Sequence, residues 1–387
     1  MLGHCTTSRR GAGIFSLLVM LAILALAAAL LLPAIQRVRE AANKMLCASN
    51  LRQIGIAAHN YHNDSSKLPP GYYGPYRPNG NTTDVSPKQA TDRGPWVGVL
   101  VPLLPYIEQE NLFKQLWKSE LTFPANQQDA PAPGWRCGLG EERKVWWSVQ
   151  QNEQLAGTKL KMLKCPSDKT DDATSAGVLS AIHIANGKFQ TTFGPDSLGR
   201  TNYAGVAGAS GDFDPNVNRQ FGNPAADFGQ WIGIMYNRST LTLGQITVQD
   251  GTSNTLMFGE SLGGMGVGPR DHAWSWMGVG AMGTAYGLGR PTVRAPAEPP
   301  GLVTAPAAGQ DGAAWYRFSS RHSVVQFCWA DVSTRGIRFG KTTIPDTTSG
   351  PNAMPPTPGN NPSDWAILQQ LAGRKDGFSN DVSSIVE

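Results

Sequence analysis

The chain has 387 residues, enough for a sizeable core and, as a length prior, two or three domains. Hydrophobic residues make up 40%, which excludes a disordered chain, while charged residues make up only 16%, below the roughly 25% of an average soluble domain. The net charge of +4 comes without a long basic run, so no nucleic-acid surface is indicated, and 44 Gly with 28 Pro favour turns between short strands over collagen, coiled coil or a polytopic membrane protein.

The first element is the N-terminal helix. No charged residue falls between Arg10 and Arg37, and Ile14 to Ile35 is almost wholly apolar. About 20 helical residues cross the hydrocarbon core of a bilayer. The span is longer than the roughly 7–15 apolar residues of an ordinary signal peptide. Past Pro33, apolar residues recur at Ile35, Val38, Ala42, Met45, Leu46, Leu51, Ile54 and Ala58, at helical spacing. One helix is therefore predicted over residues 13–62, kinked where Pro33 removes a backbone bond. Its first part is membrane-embedded and its second an amphipathic stem ending at His59-Asn60-Tyr61-His62.

Residues 69–95 are rich in Pro, Gly, Asn and Tyr and read as a loop. A short second helix is expected within Trp96 to Lys118. Leu160 to Lys164 alternates and reads as a strand, and Gly233–Tyr236, Thr255–Gly259 and Val324–Ala330 are further strand candidates. Residues 296–306 and 343–363 are Pro-rich loops, and Asp364 to Leu371 is a closing helix. A long helix followed by many short strands predicts an α+β fold, with the helix packed on an antiparallel β-sheet that carries large loop insertions.

Several motifs together resemble a known class. Arg9-Arg10-Gly11 before an apolar helix, with proline 22 residues after that glycine, resembles a type IV prepilin N-terminus. The rest is similar to a bacterial family of pilin-like proteins with a prepilin methylation segment and a large domain of unknown function. The matching runs are Leu30–Gln36, Arg39–Ala42, Cys47–Gly55, His59–His62, Leu68–Tyr72, Leu103–Gln109, Cys165–Asp168, Thr201–Tyr203 and Asp250–Thr255. The resemblance implies a leader over 1–11, cleaved between Gly11 and Ala12 by a prepilin peptidase. It implies a transmembrane half-helix over 12–36, a stem over 37–64 and an extracytoplasmic body over 65–387. It also implies a single-pass protein of the inner membrane, N-terminus cytoplasmic and body periplasmic, with access to a filament or the cell surface.

Two departures stand out. Ala12 occupies the first mature position, usually Phe, and Ser16 replaces the glutamate usual at mature position five. That carboxylate ordinarily pairs with a neighbouring subunit's N-terminal ammonium, and charged groups in lipid are costly and functional. Ser16 therefore points to a tip-like or minor subunit, or to a merely anchored protein.

Within this frame, Cys47 and Cys165 both fall in matching motifs. A Cys47–Cys165 disulfide would tie stem to body, closing 118 residues and contributing about 4–5 kcal/mol by loop entropy; two free buried thiols are the alternative. Cys328 reads as core. With no C-x-x-C pair, zinc is not expected. Asp250, Thr252, Ser253 and Asn254 form a polar loop suited either to calcium or to a hydrogen-bonded turn. His322 to Asp331 resembles the family's C-terminal motif, but eight residues lie between them where the family has nine, and Val332 stands where the family has glycine. A tight hairpin turn wants positive φ there, so an altered hairpin is predicted. His59 and His62 offer two weak metal ligands or end the stem. Trp274 and Trp276, beside Asp271 and His272, offer a glycan-stacking face or core.

These readings converge on a structural subunit that partners other pilins or pseudopilins and membrane lipid, with no nucleic acid, no catalysis and no obligate cofactor. The alternative is an envelope module, anchored by the helix, that binds glycan or protein. A secreted hydrolase is the least favoured reading, since the sequence carries no paired metal motif.

Overall fold

A computed structural model describes residues 10–73, 97–118, 146–148, 150–168, 177–185, 188–193, 197–209, 231–236, 239–264, 273–291, 312–343, 363–377 and 381–387. Most of the leader, Cys5, Cys137, Asp271, His272 and the expected loops at 296–306, most of 69–95 and most of 343–363 lie outside these residues. The chain divides into two compact units, one up to Met45 and one from Leu46 to Glu387.

Helix α1 spans Arg10–Ser65 and runs through Pro33. Between Phe15 and Val38 its apolar side chains are exposed, Phe15 at 72% and Leu30 at 70%. It is long and apolar enough to cross a membrane, as an anchor or a signal sequence would be. The helix stops where Ser66 takes a positive φ of 60°, the left-handed conformation that ends many helices. Ser65 Oγ bonds the carbonyl oxygens of Tyr61 and Lys67 there.

In the second unit, Cys47, Leu51, Ile54, Ala58 and Tyr61 of α1 are buried. They cover a five-stranded sheet built from β6 (Tyr203–Val206), β7 (Leu256–Glu260), β9 (Ala281–Met282), β10 (Val324–Trp329) and β11 (Thr334–Arg338), in the order β11-β10-β7-β6-β9. β7 and β10 are buried at every position, and mostly apolar, because both of their faces are covered. The helix approaches closely at Gly55, where a Cβ would stand 2.6 Å from Cys328 Sγ on β10. His59 Nε2 lies 2.7 Å from the Ala330 carbonyl oxygen.

The other strands are β1 (Tyr72–Tyr73) paired with β2 (Val97–Gly98), and a four-stranded sheet ordered β4-β3-β8-β5. Those four are β3 (Gly177–Ala185), β4 (Lys188–Phe193), β5 (Arg200–Thr201) and β8 (Ala273–Ser275). Helices α2 (Glu110–Lys118), α3 (Gln150–Ala156), α4 (Leu243–Val248) and α5 (Asp364–Ala372) complete the described residues. Thr242 opens α4 with a reciprocal capping box to Gln245.

The α+β expectation holds, with one correction. The sheets are mixed, since β6–β9 and β3–β8 pair in parallel. Long connections separate the partners of both pairs, which is what parallel pairing requires. Two expected strands are absent. Leu160–Lys164 forms a 3-10 turn over Lys161–Leu163, in which Leu160 and Leu163 are buried three residues apart. Gly233–Tyr236 is irregular, although Gly233 and Met235 donate to the carbonyls of Ala207 and Val206 beside β6. The helix expected within 96–118 is confined to α2, because Pro105 and a left-handed Glu108 interrupt the chain before it.

Candidate functional site

Several of the motifs dispersed along the sequence meet at one place. Cys47 on α1 and Cys165 after the 3-10 turn form a disulfide, with Cα atoms 5.3 Å apart, within the range that the bond requires. His322, just before β10, brings Nε2 to 3.2 Å from Cys47 Sγ and 3.4 Å from Cys165 Sγ. Glu260, the last residue of β7, completes the group. One ligand-capable atom from each of Cys47, Cys165, Glu260 and His322 lies within 4.8 Å of the others. All four are buried, Glu260 fully.

A polar frame fixes these groups. Asn202 Oδ1 accepts the Cys165 amide at 2.8 Å, and its Nδ2 donates to Asp168 Oδ2 at 2.6 Å. The Ser261 amide donates to the Asn202 carbonyl at 2.6 Å, which anchors the end of β7 beside Cys165. Arg321 Nε bonds the other Asp168 oxygen at 3.4 Å, orienting the segment that carries His322. From α1, Asn50 Nδ2 reaches the Lys164 carbonyl and the Tyr203 hydroxyl, each at 3.2 Å. Burial, with the Glu260 and Asp168 charges adding to it, pushes the Tyr203 phenol far above its ordinary pKa, so Tyr203 stays protonated.

The remaining candidates are placed elsewhere. Gly11 and Ala12 lie in the first turn of α1, their side chains outside the described residues. The Asp250 loop makes a turn that fastens the C-terminal segment. Asp250 Oδ2 accepts the Asp376 amide and Oδ1 the Gly377 amide, each at 3.0 Å. Asn254 Nδ2 donates to the Asp250 carbonyl, the Asp331 amide to the Thr252 carbonyl and Arg335 Nη2 to the Ser253 carbonyl. The loop's oxygens thus serve chain contacts.

His322 and Asp331 stand at opposite ends of β10, so they form no pair. Asp331 Oδ1 instead accepts the Ser333 amide at 2.8 Å in the β10–β11 turn. That hairpin closes with Val332 at φ 69°, a conformation costing an L-residue about 1–2 kcal/mol. His59 and His62 turn to different elements: His62 Nε2 accepts the Leu243 amide, and desolvation followed by the neighbouring His59 lowers its pKa. Trp274 and Trp276 are buried, donating to Ser261 Oγ and the Thr158 carbonyl, so neither offers a face to a sugar. Cys328 is a buried thiol in the core, pushed upward in pKa mainly by burial.

Sequence spacing missed the role of Glu260 and the approach of His322 to sulfur. The four residues come from four separate segments, and no local pattern links them. The only sequence signal was that Cys47, Cys165 and His322 each sit in a run that carries the family resemblance.

Residues 36–338 match the model of a family described as a protein of unknown function, DUF1559. No curated protein and no solved structure matches the chain.

Proposed function

This chain belongs to the DUF1559 family, and from that premise we propose that it is a pilin-like or pseudopilin-like structural subunit of the inner membrane. It assembles in or with a type IV pilus or type II secretion pseudopilus, in a minor or tip-like position, and its body faces the periplasm. Other pilin-like subunits, the prepilin peptidase and membrane lipid are its partners.

The observation that carries this reading is a helix apolar on two sides. Cys47, Leu51, Ile54, Ala58 and Tyr61 of α1 are buried against the body. Val38, Met45 and Ile56 are exposed, at 69%, 68% and 43%. Spaced seven and eleven residues from one another, they recur at the period of a 3.6-residue helix. A helix that only anchors a domain needs no apolar stripe beyond the membrane. A filament subunit does, because the stripe that lipid covers first is covered later by neighbouring helices. At roughly 25 cal/mol per Å² of apolar surface, helix-on-helix burial offsets extraction from lipid.

The test is the mature N-terminus together with incorporation. Mass spectrometry of envelope-derived protein is expected to find the chain beginning at Ala12, and cross-linking at Met45 to capture a second pilin-like helix. Ser16→Glu is expected to raise incorporation, because the buried ammonium then shares its desolvation cost with a partner. An N-terminus at Met1, with no cross-link and no response to Ser16→Glu, would mark an anchored envelope module instead.

A further inference from the structure

We propose that Cys47, Cys165, His322 and Glu260 form a zinc site whenever the two cysteines are reduced, so that disulfide and metal are alternative occupants of one buried cluster. The donor set is one that zinc takes: two thiolates, an imidazole and a carboxylate. Zinc–ligand bonds of about 2.0–2.3 Å in a tetrahedron place donor atoms about 3.3–3.8 Å apart. The His322 Nε2 distances of 3.2 and 3.4 Å to the two sulfurs are near those values already. The full group spans no more than 4.8 Å, so closing it on a metal takes a shift of about 1 Å.

The sulfurs must part for the metal to enter, and side-chain rotation supplies that. Cα atoms 5.3 Å apart leave room for two thiolates on one ion without moving α1. The cluster is a dry, supported site rather than a surface coincidence. Glu260 and Cys47 are fully buried and Cys165 nearly so. Asn202, Asp168 and Arg321 hold the Cys165 and His322 segments from behind, the kind of outer shell that orients metal ligands.

The chemistry balances as follows. A phosphine with one water cleaves the sulfur–sulfur bond, giving two thiols and the phosphine oxide. Each thiol then releases its proton to solvent as the metal binds, and imidazole and carboxylate complete the sphere. In the envelope, a dithiol takes the phosphine's place and leaves as its own disulfide.

Cobalt(II) tests this with the full chain in detergent micelles, reduced by a water-soluble phosphine in the presence of the metal. The expected result is one cobalt per chain, with thiolate charge-transfer absorption and tetrahedral d–d bands that zinc displaces. The oxidised chain is expected to take up none. His322→Ala and Glu260→Gln are expected to weaken binding by at least about 100-fold, more than loss of an outer-shell partner costs, while both still form the Cys47–Cys165 disulfide on oxidation. Circular dichroism follows the fold throughout. The proposal is overturned if the reduced chain binds no cobalt, if both variants bind like wild type, or if reduction unfolds the body and metal does not restore it.

Discussion

Substituting Gly55 by alanine tests how α1 is seated on the sheet. Alanine is the better helix former by about 1 kcal/mol, so propensity alone predicts stabilisation. The structure predicts the reverse. A Cβ at position 55 would lie 2.6 Å from Cys328 Sγ, 3.3 Å from Val332 Cγ1 and 3.5 Å from Met257 Cε. Methionine can move aside, but Cys328 sits on β10, which is hydrogen-bonded to strands on both sides. Overpacking of this kind costs about 1–3 kcal/mol, leaving Gly55→Ala a net loss of up to about 2 kcal/mol. Cys328→Ala alone removes one buried sulfur and should cost about 1 kcal/mol. In the double variant the new methyl occupies the vacated space, so stability should return to within about 0.5 kcal/mol of wild type, a coupling of about 2 kcal/mol. Denaturant unfolding of the full chain in micelles, followed by tryptophan fluorescence, measures all four corners of the cycle. If Gly55→Ala is stabilising, or the two changes simply add, α1 does not rest on β10 at this distance.

Three further outcomes are expected. Replacing Cys47 and Cys165 together by serine removes a crosslink across 118 residues and should cost about 4–5 kcal/mol; a loss under about 1 kcal/mol, or failure of non-reducing peptide mapping to find the linked pair, would contradict the bridge. Asp250→Ala leaves the Asp376 and Gly377 amides without their acceptor and should cost about 2 kcal/mol, with faster hydrogen exchange at those two amides as the readout; unchanged exchange would refute the fastening role. Burial pushes the Tyr61 phenol from its ordinary 10 up to about 12, and Tyr316 likewise. A raised acid pKa means the folded state holds the proton longer, so this stability is present below pH 10 and lost as pH rises from 10 towards 12. Tyrosinate absorbance should therefore appear together with unfolding, whereas gradual titration centred on 10 in a folded chain would refute it.

How far the sequence could be read depended on the range of the interaction concerned. α1 was legible because its apolar period persists over dozens of residues, and β7 and β10 because a mostly apolar run needs cover on both faces. β6 was not, since Tyr203-Ala204-Gly205-Val206 is short and contains glycine. Leu160–Lys164 was misread because five alternating residues also satisfy burial three apart, and Cys165 and Asn202 then fix the turn from outside. The disulfide was legible only through family resemblance. Glu260 was invisible, because a carboxylate closing an apolar strand has no local pattern, and its neighbours in space lie far away in sequence. Val332 gave a half-right warning: its positive φ is real, and the hairpin forms despite the strain.

The seating of the stem also sets an order of events during biosynthesis. His59 and the Ala330 carbonyl it meets are 271 residues apart. At about 5–20 residues per second, the ribosome needs roughly a quarter of a minute to a minute to deliver the second after the first. For that interval the face of α1 carrying Leu51, Ile54 and Ala58 has been made, while β10 and β11 have not. Such long-range closure is intrinsically slow. The nascent stem must therefore be shielded by lipid or a chaperone until the last strands arrive, and truncations that stop before Val324 should leave an aggregation-prone helix rather than a smaller folded protein.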